Sequence, residues 1–247
     1  MTDLVLIHGL IGTLRDLPPL FHQWGITAHA PDLLGYGAHA QVSPADVGLW
    51  QQVEHLERWL TQHGLERVHL LGHSVGGAVA MLFAHRYPPR VASIINVEGN
   101  FSLNDAFWSA KVAAMSAGEA SALLAGYAAD PAGWLGGAGI TATPGQLAQA
   151  RMLLANQPAS TVHATAGSVV EVTGNSDYTT SLKAVFDSGP PVHLMAGERS
   201  ASGWDLPLWA RQQAASYTLL PGGHMMMLED PQRFMQAVAG SVTATAA

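Results

Sequence analysis

Short runs of almost entirely apolar residues recur along the chain, and most of them end at glycine, proline or a polar residue. Runs of this length that are rich in branched side chains are typical of strands buried on both faces of a parallel sheet. We predict six such strands, at about residues 4–7, 26–30, 68–71, 91–97, 191–197 and 217–221.

Helical patterns separate several of these runs. One helix is predicted to begin near Ser43, which can cap it, with Pro44 at the first helical position, and to stop at Gly64. Residues 78–85 are apolar on almost every side, and a last helix starts with Pro231 after Asp230. Alternating strands and helices predict a parallel sheet with helices on both faces.

The pattern changes between residues 101 and 186, where alanine-rich helical stretches are broken by proline and glycine and no strand is predicted. We therefore expect two parts. Residues 1–100 and 187–247 form the α/β core, and residues 101–186 form a helical cap inserted between two core strands.

Composition narrows the classes of partner. Eleven basic and eighteen acidic residues leave a formal net charge of −7, which argues against nucleic acid and anionic membranes as partners. The chain has no cysteine, no apolar run long enough to span a membrane and no signal-peptide pattern at its start, so we expect a cytoplasmic location. No metal-ligand spacing occurs, and we expect neither a metal nor another cofactor.

The strongest chemical motif is Gly72-His73-Ser74-Val75-Gly76, which matches G-x-S-x-G between a predicted strand and a predicted helix. In this motif a sharp turn exposes the serine as a nucleophile, and the glycines leave room for that turn. The N-terminus of the following helix favours negative charge. Ser74 is therefore the candidate nucleophile.

The positions of other residues relative to the predicted strands suggest the base and the oxyanion hole. His224 lies after the last predicted strand, at the edge where open α/β sheets place their sites, so we predict that it is the base. The backbone N–H groups of Leu10, after the first strand, and Val75 would form the oxyanion hole. His8 is expected to shape the loop rather than transfer protons.

In these residues the chain resembles the α/β-hydrolase superfamily, in the branch of small capped esterases and carbon–carbon bond hydrolases. The similarity rests on the nucleophile motif and on three other features, His8-Gly9, Asp32 with Gly35 and Gly37, and Gly223-His224. It covers everything except the cap, and it implies a structural role for Asp32. Relatives begin with an antiparallel pair of strands that this chain lacks, which implies a sheet of about six strands.

The resemblance leaves the acid of the catalytic triad open. Many relatives end the penultimate strand with Gly-x-x-Asp, whereas this chain has Ser200 at the last position of that pattern. We predict that Glu98 is the acid, because it ends the strand after the elbow helix and keeps the order serine, acid, histidine. Some haloalkane dehalogenases and lactonases of this fold resemble this chain in taking their acid from the end of that strand. Glu198 and Asp205 are the competing candidates.

The favoured function is cleavage of a carboxylic ester of a small hydrophobic substrate through an acyl-serine intermediate. Carbon–carbon bond hydrolysis or a lyase reaction with the same triad, and a small-molecule receptor, are the alternatives. The cap holds few charges, with Arg151 as its one arginine, so we expect an apolar pocket. The residues that could line it are Phe101, Phe107, Trp108, Met115, Trp134 and Met152.

Overall fold

A computed structural model describes residues 2–246 and places a six-stranded, all-parallel sheet at the centre of the protein. The strand order is β2-β1-β3-β4-β5-β6, so the predicted fold class and the count of about six strands are confirmed. The strands are β1 (Thr2–Ile7), β2 (Ile26–His29), β3 (Val68–His73), β4 (Val91–Val97), β5 (Val192–Gly197) and β6 (Ser216–Leu220).

Eleven α-helices accompany the sheet within the described residues. Five of them come before β4 or after β5 in the sequence, namely α1 (Leu49–Gln62), α2 (Val75–Arg86), α9 (Leu208–Gln213), α10 (Met226–Glu229) and α11 (Pro231–Ala246). Six follow one another between β4 and β5, namely α3 (Phe107–Ala113), α4 (Ala117–Ala129), α5 (Pro131–Gly137), α6 (Pro144–Ala155), α7 (Ala159–Thr173) and α8 (Ser176–Ser188). Short 3-10 helices cover Pro18–Trp24, Gly37–His39, Pro44–Asp46, Pro88–Arg90, Asn104–Ala106 and Ala201–Gly203.

The two faces of the sheet bury separate apolar clusters, because successive side chains of a strand point to opposite faces. On β1, Val5 and Ile7 pack into the cluster that contains α1, α2 and α8. Leu4 and Leu6 pack into the cluster on the other side, which contains α11. Burial on both faces explains why the strands read as continuous apolar runs.

The helix predicted from Ser43 begins later, at Leu49. Ser43 does act as a cap, since its hydroxyl accepts a hydrogen bond from the Ala45 N–H, but it caps only a 3-10 turn. Gly48 then adopts an extended conformation, and the Leu49 N–H is bonded to the Ser168 hydroxyl of α7. A contact with a distant helix thus replaces the continuous helix that local sequence predicts.

The last two helices of the segment between β4 and β5 pack against helices that flank the sheet. α7 packs against α1, and α8 packs against α2. Tyr178, Leu182 and Val185 of α8 belong to the same buried cluster as the sheet. The division into core and cap at residues 101 and 186 stays a prediction.

None of the helices in residues 2–246 is long and apolar enough to cross a membrane. In the same residues, no group of three or more acidic, histidine or cysteine side chains is placed to hold a metal ion.

The register of the strands brings their carboxyl ends to one edge of the sheet. Ile7 pairs with Gly72, His73 with Val97, and Gly197 with Leu220. The loops that follow these strands contain Leu10, Ser74, Glu98, Ser200 and His224. Candidate residues that are widely separated in sequence therefore meet at one edge.

Candidate active site

Ser74 stands at a sharp turn between β3 and α2, with φ of 55° and ψ of −123°. This region is strained for a residue with a side chain, and within the described chain Glu98 is the only other non-glycine residue with positive φ. The Ser74 N–H donates to the Val97 carbonyl at 3.0 Å, which fixes the turn against β4.

The glycines of the motif allow backbones to approach closely. A Cβ at Gly72 would lie 2.3 Å from the Gly76 carbonyl oxygen, and a Cβ at Gly76 would lie 2.2 Å from the carbonyl oxygen of Ile7. The N-terminus of α2 thus packs directly on the end of β1. A Cβ at Gly9 would lie 3.1 Å from the Ser74 Cβ, so the loop after β1 rests against the nucleophile.

Glu98 and His224 form a hydrogen-bonded pair at the same edge. Nδ1 of His224 lies 2.6 Å from Oε2 of Glu98, and because a carboxylate only accepts, Nδ1 is the donor. The Glu98 side chain is 4% exposed and that of His224 is 45% exposed. The histidine therefore has a buried partner on one side and access to solvent on the other.

The second oxygen of Glu98 is also held. It accepts a hydrogen bond from the Gly197 N–H at 2.8 Å and one from the Ser200 hydroxyl at 2.5 Å. Burial favours the neutral acid, but the hydrogen bonds from His224, Ser200 and Gly197 outweigh it and hold the pKa of Glu98 below its usual value. Glu98 is thus fixed as a carboxylate, and the serine that stands where relatives have aspartate contacts it.

The competing acids make other contacts. Asp205 accepts hydrogen bonds from the Ser102 hydroxyl at 2.7 Å and the Asn104 amide at 3.0 Å. Glu198 is exposed on the loop after β5. The structure pairs neither carboxylate with His224, whereas it does pair Glu98.

His73 connects the nucleophile turn to the loop of His224, a contact that the motif does not reveal. Its Nε2 lies 2.8 Å from the His224 carbonyl oxygen, and the two rings are 4.6 Å apart. Burial, with a contribution from neighbouring His224, lowers the pKa of His73 to about 3. His73 is therefore a neutral donor through Nε2, and the contact joins the loop of His224 to the residue that precedes Ser74.

The two predicted oxyanion donors, the N–H groups of Leu10 and Val75, belong to the residues that follow Gly9 and Ser74, which lie against each other. In the described part of the chain, neither the Leu10 N–H nor the Val75 N–H has a hydrogen-bond partner. The Leu10 carbonyl, by contrast, is bonded by the Tyr36 hydroxyl at 2.9 Å. One free backbone donor is thus at the N-terminus of α2, and the other is in the loop that rests against Ser74.

His8 is buried beneath this loop. Its Nδ1 lies 2.8 Å from the Gly9 carbonyl oxygen, and its ring packs edge-on against Tyr36 at 4.5 Å. Burial lowers the pKa of His8 to about 4, so the side chain is neutral near pH 7. These contacts are those of a residue that shapes the loop.

The predicted pocket residues do not all come together at one place. Phe101 is 2% exposed and packs against Phe186, so it belongs to the core, while Phe107 is 71% exposed. The assignment of these two residues to a pocket lining stays a prediction. Trp108 packs on the main cluster and Trp134 on a small separate one.

A small cleft of about 20 Å³ lies between the loop after β1, α6 and the start of α10. Of the sequence candidates it includes Met152. Its apolar lining is Leu14, Leu17, Met152, Leu153, Met227 and Leu228, and its polar lining is Thr13, Asp16 and Gln149. The cleft thus lies between the loop that contains Leu10 and the helix that follows His224.

Comparison with known proteins agrees with this geometry. A model of the alpha/beta hydrolase family matches residues 4–237. An uncharacterized protein of Mycobacterium tuberculosis is 28% identical over 231 residues, which are 86% of this chain and 66% of that protein. The chain therefore spans slightly less than two thirds of that relative.

Solved structures of similar shape include two esterases. A carboxylesterase of Nitrososphaera gargenis matches with a TM-score of 0.75 and 18% identity, over 99% of this chain and 91% of the other. An esterase of Thermogutta terrifontis matches with a TM-score of 0.73 and 19% identity, over 99% and 90%. At this level of identity the likeness shows the fold.

Proposed function

Because the chain belongs to the alpha/beta hydrolase family, we propose that it is a serine hydrolase that cleaves a carboxylic ester of a small hydrophobic substrate. The observation that carries the proposal is the hydrogen bond between His224 and the buried Glu98, at the sheet edge where Ser74 occupies a strained turn. A serine, an imidazole and a carboxylate in this order are the groups that acyl transfer requires.

The proposed reaction begins with His224 neutral at Nε2. Since Glu98 holds the proton on Nδ1, Nε2 is free to take the proton of the Ser74 hydroxyl as Oγ attacks the ester carbon. The carbonyl oxygen becomes negatively charged and accepts hydrogen bonds from the Leu10 and Val75 N–H groups. His224 then returns the proton to the leaving alkoxide, which departs as the alcohol.

Water completes the cycle. His224 takes a proton from a water molecule, whose oxygen attacks the acyl-serine carbon, and the same proton returns to Ser74 as the carboxylic acid leaves. Glu98 stays ionised throughout and stabilises the imidazolium, a role that its lowered pKa supports.

A neutral substrate is supported by the charges around the site. Arg15, after the oxyanion loop, pairs with Asp32 at 3.1 Å, and Arg199, after β5, pairs with Glu229 at 2.9 Å. Arg151 is exposed on α6. Arginines that are already paired do not form a clamp for phosphate or carboxylate.

The side chains around the small cleft between the loop after β1, α6 and α10 support an apolar group on the substrate, although the cleft, at about 20 Å³, would have to widen to admit one. Its side chains are mainly leucine and methionine, and the unbranched, flexible methionines Met152 and Met227 adapt to different acyl shapes. A cytoplasmic location remains a prediction.

The test is hydrolysis of p-nitrophenyl esters of increasing chain length by the purified protein, with Ser74→Ala as control. We expect turnover of short and medium esters, loss of turnover in the control, and covalent labelling by a fluorophosphonate that requires Ser74. A receptor on this fold would stay unlabelled. Labelling of Ser74 without turnover of any ester would favour the carbon–carbon hydrolase or lyase alternative.

A further inference from the structure

Both polar groups of the Gly12 backbone are bonded by side chains from the segment between α6 and α7. The Gly12 N–H donates to Oε1 of Gln157 at 3.0 Å, and the Gly12 carbonyl accepts from Nδ2 of Asn156 at 2.8 Å. The two amides are consecutive in sequence and are 7% and 8% exposed. They bond a glycine that is more than 140 residues earlier in the chain.

The orientation of each amide is fixed by its other contacts. Nε2 of Gln157 donates to the Leu153 carbonyl at 3.1 Å, so its oxygen is the atom that faces Gly12. Oδ1 of Asn156 accepts from Arg15 at 2.7 Å, so its nitrogen is the atom that faces Gly12. The pair therefore presents one acceptor and one donor to the same glycine.

Gly12 suits this arrangement for two reasons. Its φ is +115°, a conformation that residues with side chains rarely adopt, and a Cβ would lie 2.8 Å from a Leu153 methyl carbon. The backbone of Asn156 adds another bond, since its carbonyl accepts from the Gly37 N–H at 2.8 Å. The loop after β1 is thus packed closely against the α6–α7 segment.

Gly12 lies two residues after Leu10, whose N–H is the proposed oxyanion donor. The loop is held at Gly9 by contact with Ser74, at the Leu10 carbonyl by Tyr36, and at Gly12 by the two amides. A movement of the Gly12 backbone would be transmitted through two residues to the Leu10 N–H. Oxyanion stabilisation depends on donors that are positioned before the charge develops.

We propose that Asn156 and Gln157 are positioning residues that fix the oxyanion loop and so link the helical segment to the reaction. The proposal rests on the proposed serine hydrolase function. We expect these residues to affect stabilisation of the transition state, and not binding of the substrate in the ground state.

The test compares three single variants in the full chain. Asn156→Asp removes the donor and sets a carboxylate oxygen against the Gly12 carbonyl. Gln157→Glu is the conservative variant, because it keeps an oxygen for the Gly12 N–H. Asn175→Asp is the matched control, since this exposed residue caps α8 through its Oδ1, which aspartate retains.

For Asn156→Asp we expect kcat for an activated ester to fall about 10- to 100-fold with KM within about twofold, since complete loss of one oxyanion donor costs about 10²–10³. The inhibition constant of a trifluoromethyl ketone, which adds to Ser74 and forms an oxyanion, should rise by a similar factor. Gln157→Glu should lose less, and the control should keep wild-type values.

Thermal melting of each variant separates positioning from unfolding, because kinetics are compared below the melting transition. Wild-type kcat and inhibitor affinity in Asn156→Asp would overturn the inference, and so would a loss of kcat with unchanged inhibitor affinity. A wild-type protein without turnover or Ser74 labelling would instead refute the proposed function, so the two failures are distinguishable.

Discussion

Replacing Glu98 by glutamine changes one atom at the centre of the candidate site. The amide keeps an oxygen that can accept from the Gly197 N–H and the Ser200 hydroxyl, so the side chain stays in place. Its NH₂ group then faces Nδ1 of His224, where a carboxylate oxygen had been 2.6 Å away. An amide nitrogen donates, so Nδ1 must become an acceptor and the ring proton moves to Nε2.

A proton on Nε2 prevents His224 from taking the Ser74 proton. The corresponding amide substitution in serine proteases costs about 10⁴-fold in kcat. We therefore expect a loss on the order of 10³- to 10⁴-fold, which corresponds to about 4–5.5 kcal/mol of transition-state stabilisation. Glu98→Asp should be intermediate, since one methylene less withdraws the carboxylate by roughly 1.5 Å.

The assay is turnover of one activated ester by wild type, Glu98→Gln, Glu198→Gln and Asp205→Asn, with circular dichroism to confirm folding. Glu198 is exposed and Asp205 is bonded to Ser102 and Asn104, so we expect both of these variants to stay within severalfold of wild type. Near-normal turnover in Glu98→Gln, with collapse in Asp205→Asn, would refute the assignment of the acid.

Two further predictions concern hydrogen bonding and pH. Ser200→Ala removes the 2.5 Å bond to Glu98 but leaves that of Gly197, so we expect kcat to fall on the order of tenfold, and an unchanged kcat would contradict this. The pKa of His8 is about 4 in the folded protein, whereas about 6.5 is normal for a histidine in an unfolded chain. As the pH decreases, the unfolded state therefore takes up a proton on His8 at a higher pH than the folded state does. The free energy of unfolding should therefore fall by up to roughly 3 kcal/mol as pH decreases from 6.5 to 4. Urea titrations should show less of this pH dependence in His8→Asn and no change in His22→Asn, an exposed position.

The parts of the protein that sequence predicted well are those encoded locally. The strand–Gly-x-Ser-x-Gly–helix pattern placed Ser74 on its turn, because each glycine is required by a contact within the motif or with the adjacent strand. The position of Glu98 followed from strand order, since the carboxyl ends of parallel strands share an edge. The fold and family are confirmed, whereas the catalytic roles stay predictions.

The parts that sequence did not predict depend on contacts between distant segments. In the sequence, Ser200 was noted only as the residue that stands where relatives have aspartate, although its hydroxyl donates a hydrogen bond to Glu98. Asn156 and Gln157 stand in a segment without a motif, and their partner Gly12 is in the first loop. Phe101 and Phe107 lie in a segment without a motif, so burial of the one and exposure of the other could not be told apart before the packing was known.

The most direct test of the proposed chemistry is to trap the acyl-serine intermediate. The protein is mixed with excess p-nitrophenyl acetate, quenched in acid within the first turnovers, digested and analysed by mass spectrometry. Glu98→Gln is run in parallel to show how acylation depends on the acid. An acetyl group on the Ser74 peptide of the wild type, absent from Ser74→Ala, is the expected result. Ester turnover with no acetyl group on Ser74 at any quench time, or with the acetyl group on another residue, would contradict an acyl-serine mechanism at this site.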